Sequence, residues 1–229
     1  AVSVTADDAV TMTANANAIS VSLSISNPFT ASIAFSVSAA IAMNKLSGST
    51  IARVSDSRVA ADGGAVTVRA TTASNLTTTP DAVAISAAIS LASISAAGAG
   101  ASGIATVTRE VRALVEDGSD IDAQGNVIVR AQDNLVSDVD VLAISVSASL
   151  AAFSVSVAIG KNLIATEVEA AIDGSTVDSG GAILVDAEAI HNDGPGGMAP
   201  AAIQTRVDVA AFSIGIAALG VAGGEAVNV

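Results

Sequence analysis

Val141-Leu-Ala-Ile-Ser-Val-Ser-Ala-Ser-Leu150 places Leu142, Ile144, Val146, Ala148 and Leu150 on one side of an extended chain and Ser145, Ser147 and Ser149 on the other. A period of two marks a β-strand, because successive side chains of a pleated backbone point to opposite faces. Past Ala151-Ala152 the phase flips, so that Phe153, Val155, Val157 and Ile159 point together. Such a one-residue slip requires a bulge or a corner. Equivalent flips fall between Leu91 and Ile94 and between Val209 and Phe212. The stretch from Ile19 to Met43 instead keeps one phase, interrupted by the turn signal Asn27-Pro28.

Working outward from this arm, the chain repeats itself. Val54-Ser-Asp-Ser-Arg-Val-Ala-Ala-Asp-Gly-Gly-Ala-Val-Thr-Val68 aligns with Val115-Glu-Asp-Gly-Ser-Asp-Ile-Asp-Ala-Gln-Gly-Asn-Val-Ile-Val129. Both align with Ile172-Asp-Gly-Ser-Thr-Val-Asp-Ser-Gly-Gly-Ala-Ile-Leu-Val185. The aligned glycines Gly64, Gly125 and Gly181 are 125 − 64 = 61 and 181 − 125 = 56 residues apart, a unit of about sixty residues. Val2-Ser-Val-Thr-Ala6 matches Val66-Thr-Val-Arg-Ala70, so the chain is expected to open at the tail of an earlier copy and to be an excerpt of something longer. Residues 1–229 are read as one array with units at 1–50 (partial), 51–111, 112–168 and 169–229.

Each unit holds an Asp-bearing corner, a glycine turn, an alternating strand such as Val127/Val129, a polar stretch and the long apolar arm. Glycine is expected at the turns to supply positive φ. The fold class that follows is all-β, a parallel β-solenoid (β-helix) of ~60-residue tandem repeats, with inward Val, Ile, Leu and Phe forming a continuous core. Because the alternate face of the arms is Ser, Ala and Gly with hardly a charge, both faces are expected to be covered. The Ser/Ala faces are expected to mediate lateral or end-to-end packing into a higher-order filament.

Composition narrows function. Lys+Arg 9 against Asp+Glu 22 gives a net charge of −13, which repels nucleic acid and anionic membrane surfaces. With no Cys, thiol catalysis, disulfides and Cys-type zinc sites are excluded. Four Phe without Trp or Tyr leave few aromatic anchors for a small-molecule pocket. Ala82 to Thr108 is uncharged and long enough to span a bilayer, but its period is that of a strand. A membrane barrel would want Tyr and Trp girdles, so no membrane insertion is expected.

Candidate chemistry is sparse, and no catalytic or cofactor-binding residue is assigned. Gly98-Ala-Gly-Ala-Ser-Gly103 satisfies a glycine-rich pattern but lies inside a β arm with no following helix. His191 stands in His191-Asn-Asp-Gly-Pro-Gly-Gly197 without a second His or a G-x-S-x-G serine, and is read as a solvated loop residue. Asp56, Asp117, Asp120, Asp122, Asp173 and Asp178 recur at the corners, while Asp133, Asp138, Asp140 and Asp193 lie in the polar stretches. Calcium at Asp117, Asp120, Asp173 and Asp178 is the alternative to plain turn capping. Capping is favoured because Gly63-Gly-Ala-Val-Thr-Val and Gly180-Gly-Ala-Ile-Leu-Val lack the third Gly and the Asp of a calcium-binding nonapeptide.

At Ile172-Asp-Gly-Ser-Thr-Val-Asp-Ser-Gly-Gly-Ala-Ile-Leu-Val-Asp-Ala187 the chain resembles the repeats of giant bacterial secreted exoproteins and adhesins of the filamentous-haemagglutinin and autotransporter kind. The resemblance implies a parallel β-solenoid, placement outside the cell or on the bacterial surface, and a role in adhesion, aggregation or coating. The long Ala/Ser arms depart from the short rungs of those repeats. The expected function is a structural or adhesive, non-enzymatic scaffold that self-associates into filaments or a sheath. The alternative is an adhesin module recognising carbohydrate or a cell surface through loops at Asn75 to Pro80, Gln132 to Asp140 and His191 to Pro200. A polysaccharide-cleaving enzyme would need clustered acid and base groups and sugar-stacking aromatics, and neither is evident.

Overall fold

Alternating β-branched and small residues over more than twenty positions leave the chain little choice but long strands. In the computed structural model, which describes residues 1–27, 29–190 and 203–229, every element is a strand. The first pass of the chain comprises β1 (Val2–Ile25), β2 (Ser32–Ser55) and β3 (Arg58–Ala61). The second comprises β4 (Val66–Ile89), β5 (Ser93–Glu116) and β6 (Asp120–Ala123), and the third β7 (Val127–Ala148), β8 (Ala151–Ile172) and β9 (Thr176–Ser179). The fourth contains β10 (Ile183–Ile190), β11 (Ile203–Ile214) and β12 (Ala217–Asn228).

All pairing is parallel and runs between passes, never within one. One sheet is ordered β1-β4-β7-β10, with β11 also on β7; a second is β12-β8-β5-β2; a third is β3-β6-β9. Each pass therefore runs out along the first sheet, turns at a tip, returns along the second and rounds a corner through the third. Partner residues step by 66 − 2 = 64 (Val2↔Val66), 127 − 66 = 61 (Val66↔Val127) and 183 − 127 = 56 (Val127↔Ile183). Beyond Ile190 the step widens to 203 − 137 = 66 (Ser137↔Ile203).

The phase flips fall as expected in two places. They coincide with the tips between β4 and β5 (Ser90 to Ala92) and between β7 and β8 (Ser149, Leu150). The first tip is closed by Asn27, whose carbonyl accepts from the Thr30 amide at 2.9 Å and whose Oδ1 accepts from the Phe29 amide at 3.2 Å. The flip between Val209 and Phe212 is different, for β11 runs through it unbroken. There the large apolar residues move from the inner to the outer face of a straight strand, with no bulge.

Two other expectations are corrected. Asn75–Pro80 and Gln132–Asp140 are not loops but the middles of β4 and β7, held in the ladder between Leu76↔Ser137 and Thr78↔Val139. The stretch His191–Pro200 and Asp193 lie outside the described residues. Nor do the Gly-Gly turns use positive φ, which occurs instead at Asp56, Asp117, Gly118 and Gly174 of the Asp corners. What selects glycine at the turns is contact between stacked passes. A Cβ on Gly180 would stand 2.5 Å from the Gln124 carbonyl oxygen, and one on Gly125 would stand 2.9 Å from the Gly64 carbonyl carbon.

The interior changes along the strands. Toward the corner it is packed by Val66, Val68, Val111, Val115, Ile121, Val127 and Val129, and at mid-strand by Leu76, Val107, Leu135, Val139 and Val141. Gly103 and Gly160, adjacent in the ladder, leave room for this middle cluster. A Cβ on Gly160 would sit 2.6 Å from Thr205 Cγ2 and 3.0 Å from Val207 Cγ2. Gly160→Leu is accordingly expected to cost about 1–3 kcal/mol through overpacking, read as a lower urea midpoint at unchanged slope.

Candidate functional site

Toward the tips the two sheets approach closely enough for serine hydroxyls to touch across the interior. Ser147 and Ser154 Oγ lie 2.9 Å apart, Ser156 and Ser145 Oγ lie 2.8 Å apart, and Ser95 Oγ donates to Ser149 Oγ at 3.0 Å. Two serine side chains in contact span less than the ~10 Å usual between packed sheets, so a Leu or Phe has no room inside. Ser156 and Ser154 Oγ also donate to the carbonyls of Ala210 and Phe212, at 2.7 and 2.5 Å.

The large apolar residues of the arms consequently point outward, which overturns the expected continuous core of Val, Ile, Leu and Phe at this end of the molecule. On the first sheet the outer rows are Ile19/Val83/Ile144/Ala210, Val21/Ile85/Val146/Phe212 and Leu23/Ala87/Ala148/Ile214. On the second they include Ile33/Ile94/Ala151/Ala217, Phe35/Ala96/Phe153/Leu219 and Val37/Gly98/Val155/Val221. Val21, Phe35 and Phe212 are 67%, 67% and 57% exposed. At the tips Phe29, Leu91 and Ile216 are exposed too. Coverage of both faces is thus not observed. The Ser/Ala face, expected to pack laterally, is the buried one, with Ser145, Ser147 and Ser156 wholly inaccessible.

This end of the two-sheet structure is a blade with an inverted pattern, small and hydroxylic inside, apolar outside. It is also free of charge. Between the row Asn17/Asp81/Leu142/Asp208 and the tip, and between the tip and the row Ile41/Ser102/Ile159/Glu225, no Asp, Glu, Lys or Arg occurs among the described residues. The charged residues decorate the other half, where Arg53–Glu116, Arg58–Asp120, Arg112–Glu167 and Arg130–Asp186 link successive passes at 3.0, 3.5, 2.8 and 2.7 Å. Exposed pairs of this kind contribute little each.

No family model matches this chain, and no curated protein or solved structure matches it.

Between the valine-packed corner half and the blade lies a buried polar seam. Arg109 enters from β5 and pairs with Asp133 of β7, their side chains 5% and 3% exposed. Thr72 Oγ1 donates to Asp133 Oδ1 at 2.6 Å, and Arg109 also donates to Ser74 Oγ and to the Asn134 carbonyl. Nearer the blade, Asn162 Nδ2 donates to the Gln204 carbonyl at 2.6 Å while its Oδ1 accepts from Ser137 Oγ at 2.6 Å. Asn44 bonds in the same way to the Thr77 carbonyl and Thr78 Oγ1, at 2.7 and 2.9 Å. These polar residues pin the two sheets in register. Of these, Asp133 was legible in sequence only as a member of a polar stretch, and nothing in the sequence singled out Arg109, Asn44 or Asn162.

The corner aspartates Asp117 and Asp120 bond to the preceding pass. Ser55 Oγ donates to Asp117 Oδ2 at 2.8 Å, Arg58 pairs with Asp120, and the Ser119 amide donates to Ser175 Oγ at 3.2 Å. Asp117, Asp120, Asp173 and Asp178 do not converge, and among the described residues no group of three His, Cys, Asp or Glu side chains is placed to hold a metal. A surface depression lined by Ser49, Thr108, Glu110, Thr166 and Glu167 lies beside Arg112, which pairs with both carboxylates.

Asp138 and Asp140 point outward from β7. Partial burial first, and the neighbouring Asp140 second, push the pKa of Asp138 up. A carboxyl whose folded pKa exceeds its unfolded value opposes folding when ionised, and that opposition fades as pH falls through the folded value. Asp138→Asn is therefore expected to raise the melting temperature slightly at pH 7 and to leave it unchanged at pH 3, in a thermal melt series across pH.

Proposed function

We propose that this chain is a structural segment of a large extracellular or cell-surface protein, a parallel β-solenoid built from units of about sixty residues and without catalytic activity. The observation that carries this reading is the stepping of ladder partners by 56 to 66 residues in all three sheets. Every pass lies in register on the one before and offers the same edge to the next, so the structure lengthens by adding passes.

A stack of this kind is stiff, because bending it stretches three parallel ladders at once. Strands of 24 residues make each layer roughly 80 Å wide, while four layers rise only about 15–20 Å. Length in the stacking direction then comes from further units, or from copies adding end to end at the open β1/β2/β3 and β10/β11/β12 edges. Recognition of a glycan through loops has less support, since Asn75–Pro80 and Gln132–Asp140 are strand interiors.

Electron microscopy and fibre diffraction of the concentrated chain test the proposal. The expected result is filaments about 80 Å wide with a reflection near 4.8 Å along the long axis. A monodisperse monomer at every concentration, or filaments whose strands run along the axis, would overturn it.

A further inference from the structure

Against the expectation from composition that the chain does not insert, we propose that the inverted blade is a membrane-inserting edge, whose outer faces and tip are seated in the hydrocarbon of a lipid bilayer. Three observations converge on that occupant. First, the apolar surface is not a patch on one side. It covers both sheets and continues over the tip through Phe29, Leu91 and Ile216, so a second copy packed on one face would leave the other and the tip in water. A medium that surrounds the blade satisfies all three at once.

Second, the charge-free depth is the same on the two sheets and fits a bilayer. It runs from Ala82 to Ile89 on the first sheet and from Ala217 to Gly224 on the second, eight residues each. At ~3.3 Å per residue this is about 26 Å, close to the ~30 Å of a hydrocarbon core. Beyond that depth charge resumes on both faces, at Asp81 and Asp208 on one and Glu225 and Lys161 on the other.

Third, the polar groups that make hydrocarbon hostile to β structure are hidden. Main-chain groups are in parallel ladders, and the hydroxyls of Ser145, Ser147, Ser154 and Ser156 face one another inside. Lipid excludes open sheet edges. The first and last passes would meet that condition when a further pass or a further copy covers them, and to this extent the inference rests on the stacking reading above. On the second sheet, Gly100 and Ser102 floor a groove walled by Ala39 and Ile41 on one side and Val157 and Ile159 on the other. It runs along the strands, the direction an acyl chain takes beside an inserted blade. No helix among the described residues is long and apolar enough to cross a membrane, so insertion would be by strands alone.

Since the chain has no Trp, single-tryptophan variants report depth cleanly. Phe153→Trp places the probe on the blade, and Ala73→Trp places it on the outer face of the charged half. The full chain is mixed with zwitterionic phosphatidylcholine vesicles, with and without bromine on the acyl chains. The expected result is a blue shift and at least a twofold quenching of Phe153→Trp by brominated lipid, with Ala73→Trp unchanged. Adding Ile85→Lys and Val155→Lys, both outward and therefore compatible with the fold, should abolish the quenching while circular dichroism stays β. No quenching of Phe153→Trp overturns the proposal, as does a blue shift that needs no lipid and grows with protein concentration, which would give the faces to a second copy. Sedimentation without vesicles reads stacking separately, so filaments without quenching defeat insertion alone, whereas monomers without filaments defeat the stacking reading.

Discussion

Asp133→Ala is expected to destabilise the fold by about 3–5 kcal/mol. The carboxylate is nearly inaccessible and holds the guanidinium of Arg109, which is equally buried. Its removal leaves a positive charge in the interior with Ser74 and the Asn134 carbonyl as remaining partners. The unpaired charge accounts for most of the cost, because a buried pair gains little over an apolar substitute. The companion prediction follows from that sign. Arg109→Met combined with Asp133→Leu should recover the loss, ending within about 1 kcal/mol of the parent or above it. Urea unfolding of the two single variants and the double variant measures this, and additive losses would refute the interpretation.

Leu135→Ala is expected to cost about 2–5 kcal/mol, whereas Leu23→Ala should stay within about 0.5 kcal/mol. Both leucines stand in long strands of the same sheet. Leu135 is 1% exposed among Val107, Val139 and Val141, and its truncation leaves a cavity that the stacked ladders cannot close. Leu23 is 63% exposed on the outer face of the blade, and its truncation removes surface already in contact with solvent. Urea midpoints of the two variants therefore test the inversion directly. Equal losses would mean that the blade's apolar faces are covered in solution, and the order reversed would mean that the inside and outside of this end had been exchanged.

The same contrast locates what sequence reading could and could not reach. Val141 to Leu150 announced a strand and even the two sets of side chains that share a face. The flips at Leu91/Ile94 and after Ala151-Ala152 announced the tips, and the alignment of Gly64, Gly125 and Gly181 announced passes that step by about sixty residues. Hydrophobicity then suggested Leu142, Ile144 and Val146 for the inside. They are outside, because the opposing sheet comes close enough for Ser145 and Ser147 to meet Ser156 and Ser154. The one sign of this in the sequence was the switch within a single strand from Val139 and Val141 on one face to Leu142 and Ile144 on the other. The phase of an alternation was readable there, but its meaning was not.

The polar stretches were misjudged for a related reason. Asn75, Asp133 and Asn134 are poor strand formers taken one at a time, yet a parallel ladder on both sides supplies their amides with partners whatever the side chain. Asp133 and Arg109, 24 residues apart in the chain, have no common sequence signal. Only the facing of two sheets brings them together.

By itself, then, the sequence determined extended structure, the recurrence of the passes and the places where the chain turns, since these depend on periods of two, on small residues at close approaches and on polar corners, all of which are local. The tertiary structure alone decided which face is interior. That choice depends on the distance between two sheets, and the distance is set by residues of both, so no one strand encodes it.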